Sequence, residues 1–274
     1  PVFVDSDTVT GNPDAAQMAE VAKYCQAVII PHLYGQVAHE AVKRVANYEN
    51  HPWIIQDCAE AHYSLLAQTL SVDKTRSLAC FSFYANKIIT TGGEGGMVLC
   101  YTPDVAERLR GLRAHAFTPG DHFNHQELAY GYRMTDPQAA FGLAQHSRRG
   151  EIFLRRRIAA ECYHKHLKHH PRLEPLIPLD GHESWWVFPV RVRTHFYRSL
   201  TSVEYVRAQL AEKGIETRRF FKPLHTQSHL RQFVAAAQVF PNACEHYELG
   251  FYLPVYPELS DDDLRYICDA LRSI

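Results

Sequence analysis

An acid and an amine stand where a parallel α/β sheet would put them to work on one ligand. The run Trp53-Ile54-Ile55-Gln56 leads into Asp57, and Ala79-Cys80-Phe81-Ser82-Phe83-Tyr84 leads into Asn86-Lys87. Ligands of such sheets collect beyond the carboxyl ends of the strands, so neighbouring parallel strands would aim both groups at one crevice. A carboxylate beside a pyridinium nitrogen keeps that nitrogen protonated and makes the ring an electron sink, while an amine forms an imine with an aldehyde. Pyridoxal phosphate needs those two groups most. A plainer reading of the same residues stays open: Lys87 as an exposed loop cation, and Asp57 as a cap on the backbone N–H groups of Ala59 or Glu60.

Two other clusters invite chemistry. Gly92 to Gly96 is glycine-rich, but it precedes a strand-like run, Met97 to Cys100, and opens no helix. It therefore lacks the context of a nucleotide loop and reads as a tight turn back to the sheet. His164, His166, His169 and His170 include an i,i+4 pair, and Cys162 is close in sequence, yet no nearby acid or cysteine completes a ligand set. The spacing is that of a solvated helix end whose cations suit the C-terminal dipole, and no metal site is assigned.

The elements that must position these groups follow from periodicity. Short apolar runs at Val2 to Val4, Ala27 to Ile30, Trp53 to Ile55, Ala79 to Tyr84 and Met97 to Cys100 read as strands, separated by segments of helical spacing. In Val37 to Tyr48 the side chains Val37, Ala41, Val42 and Val45 share one face. Alternation of this kind predicts a mostly parallel, buried sheet in an α/β domain spanning residues 1–150. Beyond it, Pro103 to Ala114 and Asp136 to about His169 read as helices, Trp185 to Val192 as a half-buried strand and Val203 to Lys213 as a helix stopped by Gly214. Ser260 is an N-cap for Asp261 to Ser273. Residues 151–274 are expected to form a smaller α+β domain.

Composition narrows the partners. A chain of 274 residues with 46% hydrophobic content can bury a sizeable core. A formal net charge of -1 supplies no basic field for nucleic acid or an anionic membrane, so any phosphate must be held locally. Seven scattered cysteines without a CxxC pair argue against a disulfide framework and a zinc site, and fit a cytoplasmic protein. The apolar runs are too short to span a bilayer. The chain opens at Pro1, directly on a strand-like run, so further residues are expected upstream.

The order of several segments resembles the DegT/DnrJ/EryC1/StrS family of sugar aminotransferases, nearest to its perosamine branch. These are His32-Leu33-Tyr34-Gly35-Gln36, Asp57-Cys58-Ala59-Glu60-Ala61-His62, Phe81 to Lys87 with Thr90 to Met97, Tyr132-Arg133-Met134-Thr135 with Gln138-Ala139-Ala140, and Pro223-Leu224-His225. The resemblance runs the length of the chain and implies a fold-type-I pyridoxal-phosphate-dependent homodimer. It implies Lys87 as the imine-forming lysine, Asp57 as the partner of the pyridine nitrogen, Ala59 against the ring face, Glu60 towards the phenolic oxygen and Ser82 on the phosphate. Arg218 and His225 fall in a segment resembling one that approaches the nucleotide-sugar site. The implied reaction is ping-pong transfer of an amino group, with glutamate as donor, to a nucleotide-linked 4-keto-6-deoxy sugar in polysaccharide biosynthesis. A sugar 3-dehydratase of the same family is the second reading, disfavoured by Lys87, and a truncated, non-catalytic relative is the third. Departures are the family's opening segment, which precedes the Pro1 run and grips the phosphate, Gly131 where the family has asparagine, and few glycines from Tyr63 to Leu78. The 274-residue chain is therefore expected to bind the cofactor weakly.

Overall fold

The computed structural model describes residues 1–49, 51–62, 75–179, 184–193 and 201–274. The glycine-poor stretch noted above lies mostly outside them.

The sheet that carries the strand-end residues has four strands in the order β1 (Ala27–Pro31), β2 (Trp53–Asp57), β3 (Ser77–Ser82) and β4 (Gly96–Cys100). The first three are parallel, and β4 returns antiparallel to β3, with Ser82 opposite Gly96. β2 and β3 are thus the adjacent parallel pair that the strand-end argument required. Helices α1 (Ala15–Ala22) and α2 (His39–Ala46) form the layer above β1 and β2, burying Met18, Ala22, Ala41, Val42 and Val45 against Val28, Ile30 and Ile54. Those α2 side chains recur at helical spacing, which is why the segment buries one stripe. A buried polar chain crosses the three strands. His32 Nδ1 accepts from the Ala38 N–H, so its Nε2 carries the proton and donates to Gln56 Oε1 at 3.2 Å, and Gln56 Nε2 donates to Ser77 Oγ at 3.0 Å.

Val2 to Val4 is not a strand. Among the described residues its one nearby pairing is the isolated bridge from Ser6 to Pro13, and the segment is used otherwise: the Asp5 carboxylate accepts from the N–H groups of Asn242 and Ala243, capping α7 (Pro241–Leu249). Apolar alternation specifies a strand only where a neighbouring backbone is there to pair with it. β4 is also largely exposed rather than buried, as befits an edge strand with little packed over it.

After β4 come α3 (Pro103–Arg113) and a hairpin of β5 (Phe117–Thr118) and β6 (Asp121–His125). The helical stretch expected from Asp136 is built of two helices, α4 (Asp136–Ser147) and α5 (Arg149–Leu167), divided at Arg148 by non-helical backbone. A second sheet, ordered β7 (Leu173–Pro175), β8 (Phe188–Val192), β10 (Gly250–Leu253) and β9 (Arg218–Arg219), is antiparallel throughout. Between β8 and β9 lies α6 (Thr201–Glu212), and α8 (Asp261–Arg272) closes the chain, its Ser260 and Asp263 forming a reciprocal capping box. The largest apolar core joins α5, α8 and this sheet, and it extends to Tyr34, Ile88 and Ile89 beside the first sheet. His164, His166 and His170 are not a solvated helix end. His164 donates to Ile177 O, His170 to Leu271 O, and burial lowers both their pKa values, so tertiary packing supplies partners the local sequence does not reveal.

Candidate active site

Lys87 lies in the loop between β3 and β4, its N–H donating to Tyr84 O. That loop is tied by Thr91, whose hydroxyl reaches both Phe83 O at 3.1 Å and Glu94 O at 2.8 Å. A side chain at Gly95 would meet the same hydroxyl at 2.4 Å, so a close approach demands glycine here, and Gly92 to Gly96 is a turn, as its context indicates. The Lys87 ammonium is 3.8 Å from Glu60 Oε1 and 4.2 Å from the ring centroid of Trp186. Both side chains are nearly buried. Loss of water outweighs their attraction, lowering the Lys87 pKa and raising that of Glu60 to about 7.

Glu60 is held by the segment His32 to Gln36. Its Oε2 accepts from the Tyr34 N–H at 2.7 Å, and Tyr34 adopts a left-handed conformation, φ 58°. Gly35, φ 95°, passes so close to the chain at Trp185 that an added Cβ would lie 2.8 Å from the Trp185 nitrogen. Asn12 pins the segment from the other side, donating to Gln36 O and accepting from Leu33 N–H. The Tyr34 ring stacks parallel to Phe221 at 5.8 Å, and Phe221 is parallel to Trp186 at 6.3 Å. An aromatic wall therefore runs alongside Lys87. Arg156 of α5 holds the wall's far side, donating to the carbonyls of Trp185, Trp186 and Val255.

Asp57, Ala59, Glu60, Lys87 and His225 all line one cavity of about 1070 Å³, together with His32, Tyr34 and Phe221. Asp57 is exposed there, and its carboxylate accepts from the Ala59 N–H at 3.1 Å. The capping contact of the plainer reading is thus present, as a local turn that still leaves Asp57 on the cavity. His225 stacks on Phe240 at 4.5 Å. Two expected residues stand apart. Ser82 does not line the cavity, and its hydroxyl accepts from the Tyr84 N–H at 3.3 Å. Arg218, paired with Glu216, lines a second cavity of about 480 Å³, which Lys87 also borders with Arg148, Trp186 and Tyr252. Gly131 bridges Ala114, and a side chain there would meet the His115 ring at 2.9 Å. Trp186 and Tyr34 carry no assignment from sequence. Tyr34 sits in a quoted motif, but Trp186 lies 99 residues from Lys87 and has no sequence signal.

Residues 1–272 match the DegT/DnrJ/EryC1/StrS aminotransferase family. The chain belongs to that family. As a DegT/DnrJ/EryC1/StrS member it is an aminotransferase, and the family's enzymes depend on pyridoxal phosphate. It is 31% identical to GDP-perosamine synthase of Escherichia coli O157:H7 over 99% of its own length and 72% of that protein's. Among solved structures, the aminotransferase TlmJ from Streptoalloteichus hindustanus superposes with a TM-score of 0.85 at 26% identity, covering 100% of this chain and 72% of that one. The fold of Streptococcus pneumoniae Spr1654 in its PLP form is shared at a TM-score of 0.85, 24% identity, covering 100% of this chain and 74% of that one. No helix among the described residues is long and apolar enough to cross a membrane.

Proposed function

We propose that this aminotransferase moves an amino group from glutamate to a nucleotide-linked 4-keto-6-deoxy sugar, in the manner of a GDP-perosamine synthase, as a cytoplasmic homodimer. The observation that carries the reading is the meeting of Lys87, Glu60 and Asp57, delivered by adjacent parallel strands and the following loop, on one cavity beside an aromatic wall. The donor set fits pyridoxal phosphate. Lys87 would hold it covalently, Asp57 its ring nitrogen, Ala59 its face and Glu60 its phenolic oxygen, while Ser82, outside this cavity, is assigned to the phosphate by its motif alone. When bound, the cofactor supplies an electron sink and carries the amino group between donor and acceptor.

The chain's own residues do the rest. The lowered Lys87 pKa makes the free amine, the form that accepts a proton at Nζ, available closer to neutrality than for an exposed lysine. The aromatic wall excludes water from that amine, which limits hydrolysis. A second cavity of about 480 Å³, which Lys87 also borders, leaves room for a sugar acceptor, with Arg218 in its lining to meet phosphate oxygens and His225 in the lining of the first. The identity to GDP-perosamine synthases supports the sugar class. The homodimer is supported by surface that one copy leaves uncovered: α4 buries none of its residues, and Met97, Phe123, Tyr132 and Leu143 are exposed. We propose residues 1–150 as the cofactor domain and 151–274 as the smaller one.

The test is amino transfer from glutamate to a GDP-linked 4-keto-6-deoxyhexose against transfer to simple 2-oxo acids. The sugar is expected to be preferred. Asp57→Asn should keep the fold and slow proton abstraction by about 10²-fold or more, because an amide no longer holds the ring proton. A clear preference for a 2-oxo acid refutes the sugar assignment, and undiminished turnover in Asp57→Asn refutes the role of Asp57.

A further inference from the structure

The histidine-rich stretch at the end of α5 lacks a completing ligand nearby in sequence, and the fold provides one. α5 carries Cys162 and His166 one turn apart, on the same face. α8 packs against it and delivers Cys268, 106 residues away from Cys162. Cys162 Sγ lies 3.7 Å from Cys268 Sγ and 3.8 Å from His166 Nδ1, and one donor atom from each of the three falls within 4.8 Å of the other two. Cys268 is fully buried, and the other two are half-buried. Among the described residues no other three side chains of metal-binding type converge in this way. None of the three lines either cavity.

Those separations have a chemical meaning. A tetrahedral cation with sulfur at about 2.3 Å and imidazole nitrogen at about 2.0–2.1 Å holds its donors about 3.5–3.8 Å apart. The sulfur–sulfur and sulfur–nitrogen distances are therefore already edges of such a site. We propose that Cys162, His166 and Cys268 bind a thiophilic divalent cation of the zinc class, with water as the fourth ligand. Thiolate and imidazole donors together select zinc over the hard cations that prefer oxygen. A disulfide would use two of the three residues, and its sulfurs would have to close to about 2.05 Å.

Binding balances simply. Both thiols give their protons to solvent, and the His166 ring exchanges its 2.7 Å hydrogen bond to Cys162 O for a bond to the metal. Burial and the neighbouring Cys162 push the Cys268 thiol up to about 12. A divalent charge is what makes two adjacent thiolates tolerable there. The ion then ties α5 to α8 across the C-terminal core.

The experiment is titration of the fully reduced 274-residue chain with cobalt(II), a spectroscopic substitute for zinc. One equivalent should develop thiolate-to-metal charge-transfer absorption with the intense ligand-field bands of tetrahedral cobalt, and zinc should bleach both. Cys162→Ser and His166→Gln, at half-buried positions, should each raise the dissociation constant about tenfold or more. Cys268→Ser should do the same, with circular dichroism confirming that the buried substitution leaves the helices folded. Cys244→Ser, at the separate Cys244–His225 contact of 3.6 Å, should leave the spectrum unchanged. Absence of charge-transfer bands in the reduced chain, their persistence in Cys162→Ser, or a Cys162–Cys268 disulfide forming in air in a chain that takes up no cobalt would each overturn the proposal.

Discussion

At the residue scale, the site sets one buried acid against one nearly buried amine, and burial dominates both. Lys87→Ala should remove the visible absorption of lysine-bound cofactor and transamination together, which absorbance and a coupled assay measure; retention of either would place the imine elsewhere. Glu60 makes a separate, signed prediction. Its pKa rises from 4.5 to about 7 on folding, chiefly through burial, so the folded chain holds a proton that the unfolded chain has released. Stability from this group is full below 4.5 and falls as pH rises through about 7. Glu60→Gln keeps an oxygen for the Tyr34 N–H and removes the buried charge. After allowing for the lost ion pair with Lys87, the variant should be more stable than the parent by about 1 kcal/mol at about pH 8. That difference should vanish near pH 4.5 in urea unfolding curves. A variant less stable at every pH would show that the ion pair outweighs the cost of burial.

At the scale of elements, the segment from His32 to Gln36 couples the first sheet to the site. Gly35→Ala would force a Cβ to within 2.8 Å of the Trp185 nitrogen at a φ of 95°, which side chains resist. A destabilisation of about 1–3 kcal/mol is expected. Cofactor affinity should fall with it, because Tyr34 and Glu60 move together; an unchanged melting temperature and affinity would contradict this. The same segment carries His32, whose burial lowers its pKa from 6.5 to about 4, as burial does for His62. Neutral in the fold, each contributes stability that is complete above 6.5 and is lost as pH falls towards 4 and below. Two such groups outweigh the opposite trend of Glu60. The unfolding free energy should therefore fall between pH 6.5 and pH 4, with a shallower slope in His32→Asn, checked by chemical denaturation across that range.

At the scale of the whole molecule, the two sheets share an apolar core through Tyr34, Ile88 and Ile89, while α3 and α4 bury no residue. A helix with no buried face gains little from packing and is expected to find its partner in a second chain. Analytical ultracentrifugation should show a dimer. Leu143→Asp should shift it to monomer and reduce transamination at least about tenfold, as expected for a site completed across the interface. A monomeric parent with full activity would remove the homodimer from the proposed function.

The sequence by itself determined the local patterns: the parallel strands ending in Asp57 and preceding Lys87, the apolar stripe of α2, the N-cap at Ser260 and the turn of Gly92 to Gly96. These rest on short-range physics, the two side-chain periodicities, cap chemistry and close backbone approach, which neighbouring residues specify. The ordered motifs carried the family resemblance, since chemistry constrains particular residues even where the intervening chain varies. Tertiary structure alone decided the rest. Trp186 meets Lys87, and Cys268 meets Cys162, through packing across about 100 residues of chain. Val2 to Val4 lost its strand because Asp5 and its neighbours bind α7 instead, and the histidines of α5 became packed because Ile177 and Leu271 offer carbonyls to them. Such contacts depend on where distant backbones lie, and local pattern carries no record of that.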